Sequence, residues 1–440
     1  MEKIYKKINI IGCGFVGLTT GLGLAEKGHS INFIDIDKDK LFYLKKGQIS
    51  FYEKGLTRLL KKNIKNKISF SSNLNILSET SVSFICVDTP SNNRTGKISL
   101  KHLNNIFKNL VSIKYTRKHL LVIKSTVIPG TTDMFYNKIS NINNLHLSNN
   151  PEFLREGSAL NDFLFPDRII FGCYDKFGYD LLSSIYKDFK CKVFKFTPVE
   201  AEYSKYFSNI FFGSLISFAN QFNDSLKINK NVNYKNILKS FSYDKRVKVE
   251  NNKKIFFPGL LNYLIPGPGF GGSCFPKDIN AFNYFLKKNN IANNVIKSVL
   301  DINKLRDKEI IKIINKLLRG KKNQTILIYG LAFKPESDDL RNSKSVSLYE
   351  NLKKYELKYK KIFCIDPFII DQRVKEKFNL IDNKKFYQTK IDLMIIMNNY
   401  AQLKQIKFNK IDGRVSNILD LRSCVDYKFE KTNLYKLGVY

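Results

Sequence analysis

Residues 7–37 read KINIIGCGFVGLTTGLGLAEKGHSINFIDID and set the architecture of the N-terminal part of the chain. A short apolar run leads into a glycine-rich turn, a helical segment follows, and a second apolar run ends in an acidic residue. Gly12, Gly14 and Gly17 have the spacing GxGxxG, and Asp35 ends the second run. The glycines permit a tight turn and let a pyrophosphate reach the helix N-terminus, where free N–H groups favour an anion. The stretch therefore predicts a βαβ unit that binds NAD, in which Asp35 binds ribose hydroxyls and disfavours the extra phosphate of NADP.

Two more apolar runs follow, and each ends in polar residues and a proline. SVSFICVDTP spans 81–90 and HLLVIKSTVIPG spans 119–130. In a doubly wound sheet the carboxyl ends of the strands face the ligand crevice. We therefore expect Thr89, Ser125 and Thr126 to lie beside the cofactor.

The C-terminal part repeats the pattern of strand, turn and helix. Residues 321–352 read KKNQTILIYGLAFKPESDDLRNSKSVSLYENL, and the run KIFCIDP follows at 361–367. One glycine, Gly330, stands where the first unit has three, which indicates a nucleotide-type domain without the dinucleotide fingerprint. Between the two parts, the pattern from residue 199 onward is that of a long amphipathic helix.

The fold class that these patterns predict is α/β, with two Rossmann-like doubly wound domains joined by a central long-helix region. We expect an NAD-binding domain over 1–198, a central helical domain over 199–310, and a C-terminal Rossmann-like domain over 311–440. A chain of 440 residues with 43% hydrophobic residues is long enough to bury several cores.

The composition favours a soluble cytoplasmic protein. No apolar run is long enough to span a bilayer, and the opening MEKIYKKINIIGCGFVG fits a strand and turn better than a signal peptide. The 7 cysteines have neither zinc-ligand spacing nor that of a disulfide framework, so we predict no metal.

Lys and Arg number 74 against 39 Asp and Glu, and this net charge of +35 would suit a polyanion binder. The lysines form no dense basic block, however, so we expect no nucleic-acid and no membrane partner.

The segment PGFGGSCFPKD, residues 268–278, has the composition of a reactive site. Three glycines let the backbone approach another group closely, and Cys274 follows them after one serine. Lys277 and Asp278 come three and four residues after the cysteine, whereas a cysteine buried in a core needs neither glycines before it nor charges after it. The segment predicts a reactive thiol on a shaped loop.

Eight landmarks together make the chain resemble the UDP-glucose/GDP-mannose dehydrogenases over nearly its full length. In chain order they are GCGFVG (12–17), a TP pair after a strand (89–90), KSTV (124–127), NPEFLREG (150–157), AEYSKYFSN (201–209), GFGGSCFPKD (269–278), GLAFKPESDDLRNS (330–343) and DLR (420–422). The resemblance implies that the domain over 311–440 binds the nucleotide sugar. Such enzymes oxidise the C6 alcohol of a nucleotide hexose to a carboxylate and use two NAD per sugar. The resemblance implies a homodimer or a higher homo-oligomer, with the long helix as the subunit contact.

The resemblance also explains why a thiol is needed. The first oxidation would give an aldehyde, and a thiolate can add to it to form a thiohemiacetal that is oxidised to a thioester. Cys274 matches that nucleophile, while Lys205 and Asn209 match the groups that stabilise the oxyanion at C6. Asp278 matches the partner that positions water, and Thr126 with Glu152 matches a water-mediated base for the first oxidation. From burial alone, we expect the pKa of Glu152 to be raised towards the working pH. If 152–156 forms a helical turn, Glu152 and Glu156 share one face.

Two larger sets of binding residues are implied by the same resemblance. Those assigned to the cofactor are Gly12, Gly14, Phe15, Val16, Gly17, Asp35, Thr89, Ser125, Thr126, Glu156, Lys277 and Arg341. Those assigned to the nucleotide sugar are Glu152, Phe153, Leu154, Lys205, Asn209, Arg246, Phe270, Gly271, Lys334 and Arg422. Arg422 would pair with the diphosphate, because the guanidinium fork suits phosphate oxygens.

The sugar itself stays open. UDP-glucose, giving UDP-glucuronate for polysaccharide biosynthesis, is the first choice, partly because PDRIIFG at 166–172 resembles UDP-hexose enzymes. Residues 247–267 contain an insertion of about a dozen residues relative to such enzymes, next to Arg246. Because of this insertion a UDP-N-acetylhexosamine is the second choice, and GDP-mannose is the third. An alternative of another class is a basic NAD-fold protein that binds polyanions without catalysis.

Overall fold

The computed structural model describes residues 6–92, 94–229, 231–251, 254–318, 323–354 and 359–439. The chain forms two compact units. The first comprises the described part of Met1–Ser208 together with Asn280–Ile291. The second comprises the described parts of Asn209–Ile279 and Ala292–Tyr440.

The first unit is built on an eight-stranded sheet in the order β3-β2-β1-β4-β5-β6-β7-β8. The order of its first six strands is that of a dinucleotide-binding Rossmann sheet. All neighbours are parallel except β6 and β7, which pair antiparallel. The strands are β1 (Lys7–Ile11), β2 (Ser30–Ile34), β3 (Ile68–Ser71), β4 (Val82–Ile85), β5 (His119–Ile123), β6 (Leu145–Asn149), β7 (Arg168–Cys173) and β8 (Lys192–Phe196).

The strands of this sheet read as continuous apolar runs because both faces are covered by helices. In β4 and β5 every residue is buried. The helices that follow the strands are α1 (Phe15–Glu26), α2 (Lys38–Lys45), α3 (Leu56–Asn63), α4 (Lys101–Leu110), α5 (Thr131–Ile139), α6 (Ala159–Leu164) and α7 (Lys176–Ile185). This arrangement brings the carboxyl ends of β1, β2, β4 and β5 to one edge, where the cofactor was predicted.

The predicted long helix is α8 (Pro198–Ser225), which has 28 residues. The residues after it form helices and one small hairpin: α9 (Tyr234–Ser242), β9 (Val249–Asn251), β10 (Lys254–Phe256), a 3₁₀ turn (Gly259–Leu264), α10 (Phe275–Lys288) and α11 (Asn294–Leu318). The antiparallel hairpin β9–β10 lies within the predicted insertion.

The second unit carries a five-stranded parallel sheet in the order β12-β11-β13-β14-β15. Its strands are β11 (Gln324–Tyr329), β12 (Tyr359–Ile365), β13 (Ile391–Ile396), β14 (Val415–Asp420) and β15 (Asn433–Lys436). Its helices are α12 (Lys344–Lys353), α13 (Gln372–Lys377), α14 (Asn383–Gln388) and α15 (Phe408–Ile411). The predicted α/β class, with two Rossmann-like sheets and a long central helix, is confirmed.

Within the part of the chain that the structure describes, no helix is both long enough and apolar enough to cross a bilayer.

Candidate functional site

A cavity of about 890 Å³ opens at the carboxyl ends of the first strands. Gly12, Gly14 and Asp35 line it, as do polar residues that follow β3 and residues of α4. The carboxylate of Asp35 accepts hydrogen bonds from the backbone N–H of Cys13 (2.8 Å) and from the ammonium of Lys40 (3.1 Å). Asp35 is thus held at the rim of the cavity, where a ribose would meet it.

Each of the three glycine positions of the turn requires glycine for a different structural reason. Gly12 has a φ of +95°, a conformation that residues with a Cβ rarely adopt. A Cβ on Gly17 would overlap the carbonyl oxygen of Gly12, so this glycine lets helix α1 pack closely. A Cβ on Gly14 would meet only Asp88 Oδ1, at 3.9 Å, because it would point into open space. The residues therefore fit NAD, whose pyrophosphate needs open space beside the second glycine.

The other predicted cofactor residues of the first unit lie near this edge, where several have structural partners. The Thr89 hydroxyl donates to the Thr126 carbonyl (2.6 Å), and the Ser125 hydroxyl donates to the Val87 carbonyl (2.6 Å). These bonds tie the ends of β4 and β5 together. At the start of α1, Phe15 contacts Phe51 with ring centroids 5.3 Å apart. The neighbouring Val16 is half-buried.

Glu152 and Lys205 form a buried ion pair. Their Oε1 and Nζ atoms are 2.8 Å apart, and each side chain is 5% exposed. Glu152 Oε2 accepts the backbone N–H of Leu154 at 2.7 Å. Burial alone would raise the pKa of Glu152, but the Lys205 charge and these hydrogen bonds outweigh it, and the pKa is lowered. The expectation of a raised pKa is wrong, and the carboxylate is ionised at neutral pH.

The segment around Glu152 is not helical. Residues 151–155 have no regular secondary structure, and a turn begins at Glu156, which is buried. The conditional prediction of a shared helical face for Glu152 and Glu156 therefore does not hold. Phe153 lies beneath the guanidinium of Arg168, with 4.0 Å between Cζ and the ring centroid.

Cys274 lies directly before helix α10. The backbone N–H of Asp278 donates to the Cys274 carbonyl at 2.9 Å, so this carbonyl accepts the first hydrogen bond of the helix. The thiol is half-buried, and Ser273 Oγ lies 3.5 Å from its sulfur. The partial positive charge of a helix N-terminus favours a thiolate at this position.

Asp278 links the cysteine helix to α8. It is 1% exposed, and its Oδ2 accepts a hydrogen bond from Asn209 Nδ2 at 2.6 Å. Lys277 forms an ion pair with the other carboxylate oxygen. Two of the predicted catalytic residues, Asn209 and Asp278, are therefore in direct contact, and Cys274 is one helical turn before Asp278.

The remaining predicted substrate residues of the second unit have the following places. Phe270 is buried, and Gly271 lies against the Asn342 carbonyl. Lys334 is half-buried on the segment that follows β11. The half-buried Arg422 donates from Nε to the Met397 carbonyl (2.8 Å).

Two predicted arginines are paired with carboxylates near them in sequence. Arg246 is 87% exposed and pairs with Asp244 (2.7 Å). Arg341 pairs with Asp339 at 2.7 Å, and its side chain is 61% exposed. Their assignments to substrate and cofactor stay predictions.

Sequence reasoning gave no role to two buried ionisable groups of the first unit. Lys124 Nζ donates to Asn150 Oδ1 at 2.9 Å, and burial lowers the pKa of Lys124 to about 8. Glu202 accepts the N–H groups of Gly130 (2.6 Å) and Thr132 (2.7 Å) at the start of α5, and burial raises its pKa to about 7. Lys124 belongs to KSTV and Glu202 precedes Lys205 by three residues, so motif membership was the available signal.

The cavity at the Rossmann sheet and the second parallel sheet define the chain as a nucleotide-binding α/β protein. Comparison with protein families makes the class specific. Residues 6–190 match the NAD binding domain of the UDP-glucose/GDP-mannose dehydrogenase family, 199–305 match its central domain, and 327–427 match its UDP binding domain. The chain belongs to this family.

Relatives with assigned names agree with the family match. UDP-glucose 6-dehydrogenase of Rickettsia conorii is 33% identical over 436 residues, which cover 95% of each chain. The enzyme of the same name from Rickettsia prowazekii is 33% identical over 439 residues, 96% of each chain. The solved structure of a UDP-glucose dehydrogenase from Pyrobaculum islandicum superposes with a TM-score of 0.84 at 27% identity, covering 100% of this chain and 99% of the other. The protein is an NAD-dependent nucleotide-sugar 6-dehydrogenase.

Proposed function

We propose that the protein oxidises the C6 alcohol of UDP-glucose to the carboxylate of UDP-glucuronate, with two NAD consumed per sugar and Cys274 as the nucleophile. The observation that carries this proposal is the thiol at the start of α10, one turn before the hydrogen-bonded pair Asn209–Asp278. The names of the relatives at 33% identity support UDP-glucose as the sugar.

The first oxidation needs a base, because the C6 alcohol loses its proton as well as a hydride. Glu152 suits this role: its lowered pKa keeps it ionised at neutral pH, so it can accept a proton through a water held with Thr126. Lys205, already paired with Glu152, places a positive charge where the alkoxide develops. Phe153 and Leu154 would contact the sugar in this segment.

The cofactor supplies a hydride acceptor when it is bound. Gly12, Gly14 and Gly17 would hold its pyrophosphate against the start of α1, and Asp35 would bind its ribose. The predicted contacts of Phe15, Val16, Thr89, Ser125 and Glu156 also belong to this proposal, as do those of Lys277 and Arg341.

The second oxidation starts from an aldehyde, which Cys274 attacks. A bond forms between the sulfur and C6, and the aldehyde oxygen takes a proton, giving a thiohemiacetal. Loss of a hydride from C6 and of the hydroxyl proton gives a thioester. Water then breaks the carbon–sulfur bond, which releases the carboxylic acid and restores the thiol. Asn209 would donate to the oxygen at C6 in each tetrahedral species, and Asp278 would position the water.

The nucleotide part of the substrate would be held by the second unit. We assign the sugar and diphosphate contacts to Phe270, Gly271, Lys334 and Arg422, and a contact across subunits to Arg246. A homodimer through α8 is part of the proposal, supported by exposed aromatic side chains such as Phe218, which is 58% exposed. We also propose a cytoplasmic location and three domains over 1–198, 199–310 and 311–440.

A UDP-N-acetylhexosamine is the second candidate substrate. The observation that favours it is the insertion, which forms the hairpin β9–β10 and the turn Gly259–Leu264. Tyr263 of this turn stacks on Phe212 of α8, with ring centroids 4.3 Å apart. The insertion thus packs on the helix that carries Asn209, where it can alter the preference for the sugar.

The test is a substrate screen with excess NAD and a limiting amount of one sugar nucleotide in each reaction. UDP-glucose, UDP-N-acetylglucosamine, UDP-N-acetylgalactosamine and GDP-mannose are compared by NADH absorbance, and the products are identified by mass spectrometry. The proposal predicts that UDP-glucose is turned over most efficiently and becomes its uronic acid. Higher kcat/KM for a UDP-N-acetylhexosamine would move the assignment to the second candidate, and no turnover despite NAD binding would contradict both.

A further inference from the structure

We propose that Asn303 of helix α11 is a positioning residue for the cysteine loop, which we define as residues 267–274. Through the backbone of Phe270, Asn303 fixes the path by which the loop delivers Cys274 to the start of α10. This inference rests on the proposed role of Cys274, but it can be tested separately from that role.

Asn303 makes a two-point contact with the middle of the loop. Its Oδ1 accepts the backbone N–H of Phe270 at 2.9 Å, and its Nδ2 donates to the Phe270 carbonyl at 3.0 Å. One amide side chain thus satisfies both backbone groups of one residue, as the neighbouring strand of a sheet would. The loop needs such a partner, because residues 265–274 contain no helix or strand.

The glycines of the loop follow from this close contact. Gly269 has a φ of +100°, and a Cβ there would overlap Asn303 Oδ1. A Cβ on Gly272 would overlap the ring of Phe333, and the Gly272 carbonyl accepts a hydrogen bond from Asn342 Nδ2 at 3.1 Å. The loop backbone therefore packs directly against Asn303 before Phe270 and against Phe333 after it.

The start of the loop is held by the next turn of the same helix. Arg306 is 1% exposed, donates from Nε to the Gly267 carbonyl (2.9 Å) and pairs with Asp224 (2.7 Å). The N–H of Gly267 donates to Asn220 Oδ1 at 2.8 Å. Because Asn303 and Arg306 are three residues apart on α11, one face of this helix holds two points of the loop.

Asn303 is itself fixed by the segment that begins α12. Lys344 Nζ donates to the Asn303 carbonyl at 2.6 Å and pairs with Asp307 at 3.2 Å. The side chain of Phe270 packs in a cluster with Ile279, Val299 and others, so the contact is anchored on the apolar side as well.

The first test measures alkylation of Cys274 by iodoacetamide, with mass spectrometry of the peptides. Asn303→Leu removes both hydrogen bonds to Phe270, and Lys304→Ala is the matched control, because Lys304 is the next residue on α11 and is exposed. Since the thiol is half-buried, release of the loop should raise the Cys274 alkylation rate by about 5-fold or more. Cys191, in the first unit, is the internal reference and should keep its rate in both variants.

Kinetics supply a second readout. Misplacing a reactive group by about 1 Å can cost about 100-fold, so Asn303→Leu should lower kcat by about 10- to 100-fold while the KM for NAD stays within about 2-fold. Asn303→Asp keeps the acceptor for the Phe270 N–H but loses the donor, unless the new carboxyl is protonated. The ionised carboxylate places an oxygen against the Phe270 carbonyl, so Asn303→Asp should also raise the Cys274 alkylation rate and lower kcat.

The outcomes separate this inference from the proposed function. An unchanged ratio of Cys274 to Cys191 alkylation in Asn303→Leu would overturn the positioning role, and so would equal acceleration of both cysteines, which signals general loosening. If Asn303→Leu does not fold, an Asn303→Asp variant with unchanged kcat and an unchanged ratio of Cys274 to Cys191 alkylation would overturn it. If Asn303→Leu changes the alkylation ratio but the wild-type protein oxidises no sugar, the positioning role of Asn303 stands. Only the proposed function is then refuted.

Discussion

Lys205 is the strongest of the neighbours that keep Glu152 ionised, and the backbone N–H of Leu154 and the charge of Lys124 act in the same direction. Without the ammonium, the opposing effect of burial is less compensated and the pKa of the carboxyl rises. We predict that Lys205→Met moves the acidic limb of kcat/KM to higher pH, because more of the base is protonated at a given pH. The variant should also lose about 100-fold or more in kcat, since an oxyanion donor is removed.

The measurement is a kcat/KM profile over pH for the wild type, for Lys205→Met and for a control, Lys187→Met. Lys187 is exposed, and its removal should leave the limb in place. An acidic limb that does not move in Lys205→Met would show that Glu152 is not the group that titrates in the reaction.

At the scale of residues, the sequence located these groups but not their charge state. The motif NPEFLREG placed Glu152, and GFGGSCFPKD placed Cys274. The direction of the Glu152 pKa was predicted incorrectly because Lys205 comes from an element far along the chain. The support of Phe270 by Asn303 was missed for the same reason, since DINKLRD at 301–307 has no feature that points to a loop.

At the scale of elements, the βαβ turn allows a test in which folding and binding separate. Gly14→Ala should fold with an unchanged melting temperature, because φ is −83° and the new methyl group would enter open space. It should still weaken NAD binding by about 10-fold or more, because the methyl occupies the path of the pyrophosphate. Calorimetric titration with NAD and a thermal melt check both expectations.

Gly17→Ala is the contrasting variant. Its methyl group would overlap the Gly12 carbonyl, so it should lower the melting temperature as well. Unweakened NAD binding in a folded Gly14→Ala protein would contradict the placement of the pyrophosphate.

Strand β5 begins with a buried histidine that should make the protein sensitive to acid. His119 is 0% exposed, its Nδ1 lies 2.8 Å from the Thr80 carbonyl, and burial lowers its pKa to about 4. Between that value and the ordinary 6.5, the unfolded chain binds a proton that the folded chain does not. His119 should therefore contribute a fall of about 3 kcal/mol in the free energy of unfolding on acidification through this window. The raised pKa of Glu202, about 7, acts in the opposite direction over the same window, so the contribution of His119 is measured as a difference between variants.

Urea unfolding at several pH values measures this effect. On acidification, His119→Gln should lose less stability than the wild type by about the same amount, whereas His102→Gln should follow the wild type, because His102 is exposed. Equal slopes for the wild type and His119→Gln would refute the buried neutral histidine.

Element type was largely predictable, and element direction was not. The runs at 81–90 and 119–130 gave β4 and β5, since short apolar segments that end in polar residues form buried strands. The antiparallel pairing of β7 was not predicted, because a buried strand reads as apolar in either direction. The hairpin β9–β10 was recognised only as an insertion, because its exposed apolar residues lack the pattern of a buried face.

At the scale of the whole molecule, the net charge of +35 should affect substrate capture rather than chemistry. A positive field attracts the anionic nucleotide sugar, and salt screens it. We predict that kcat/KM for UDP-glucose falls by about 2- to 10-fold when KCl is raised from about 0.02 M to about 0.3 M, with kcat unchanged. Steady-state kinetics at these salt concentrations, with added sucrose as a viscosity control, would detect it, and an equal fall in kcat would contradict it.

The sugar identity lay beyond the reach of the sequence. It depends on how the sugar contacts are arranged around C6 and its neighbours, and the insertion at 247–267 has no counterpart in the motifs. The cofactor could be predicted from the sequence, because GxGxxG corresponds to the pyrophosphate of NAD and Asp35 corresponds to its ribose.

The central claim is that one thiol carries the sugar through two oxidations. The most direct measurement counts the NADH formed per UDP-glucose consumed, by the wild type and by Cys274→Ser, with Cys191→Ser as the control. We predict two NADH per sugar for the wild type and the control, and no more than one for Cys274→Ser. Two NADH per sugar from Cys274→Ser would contradict the account.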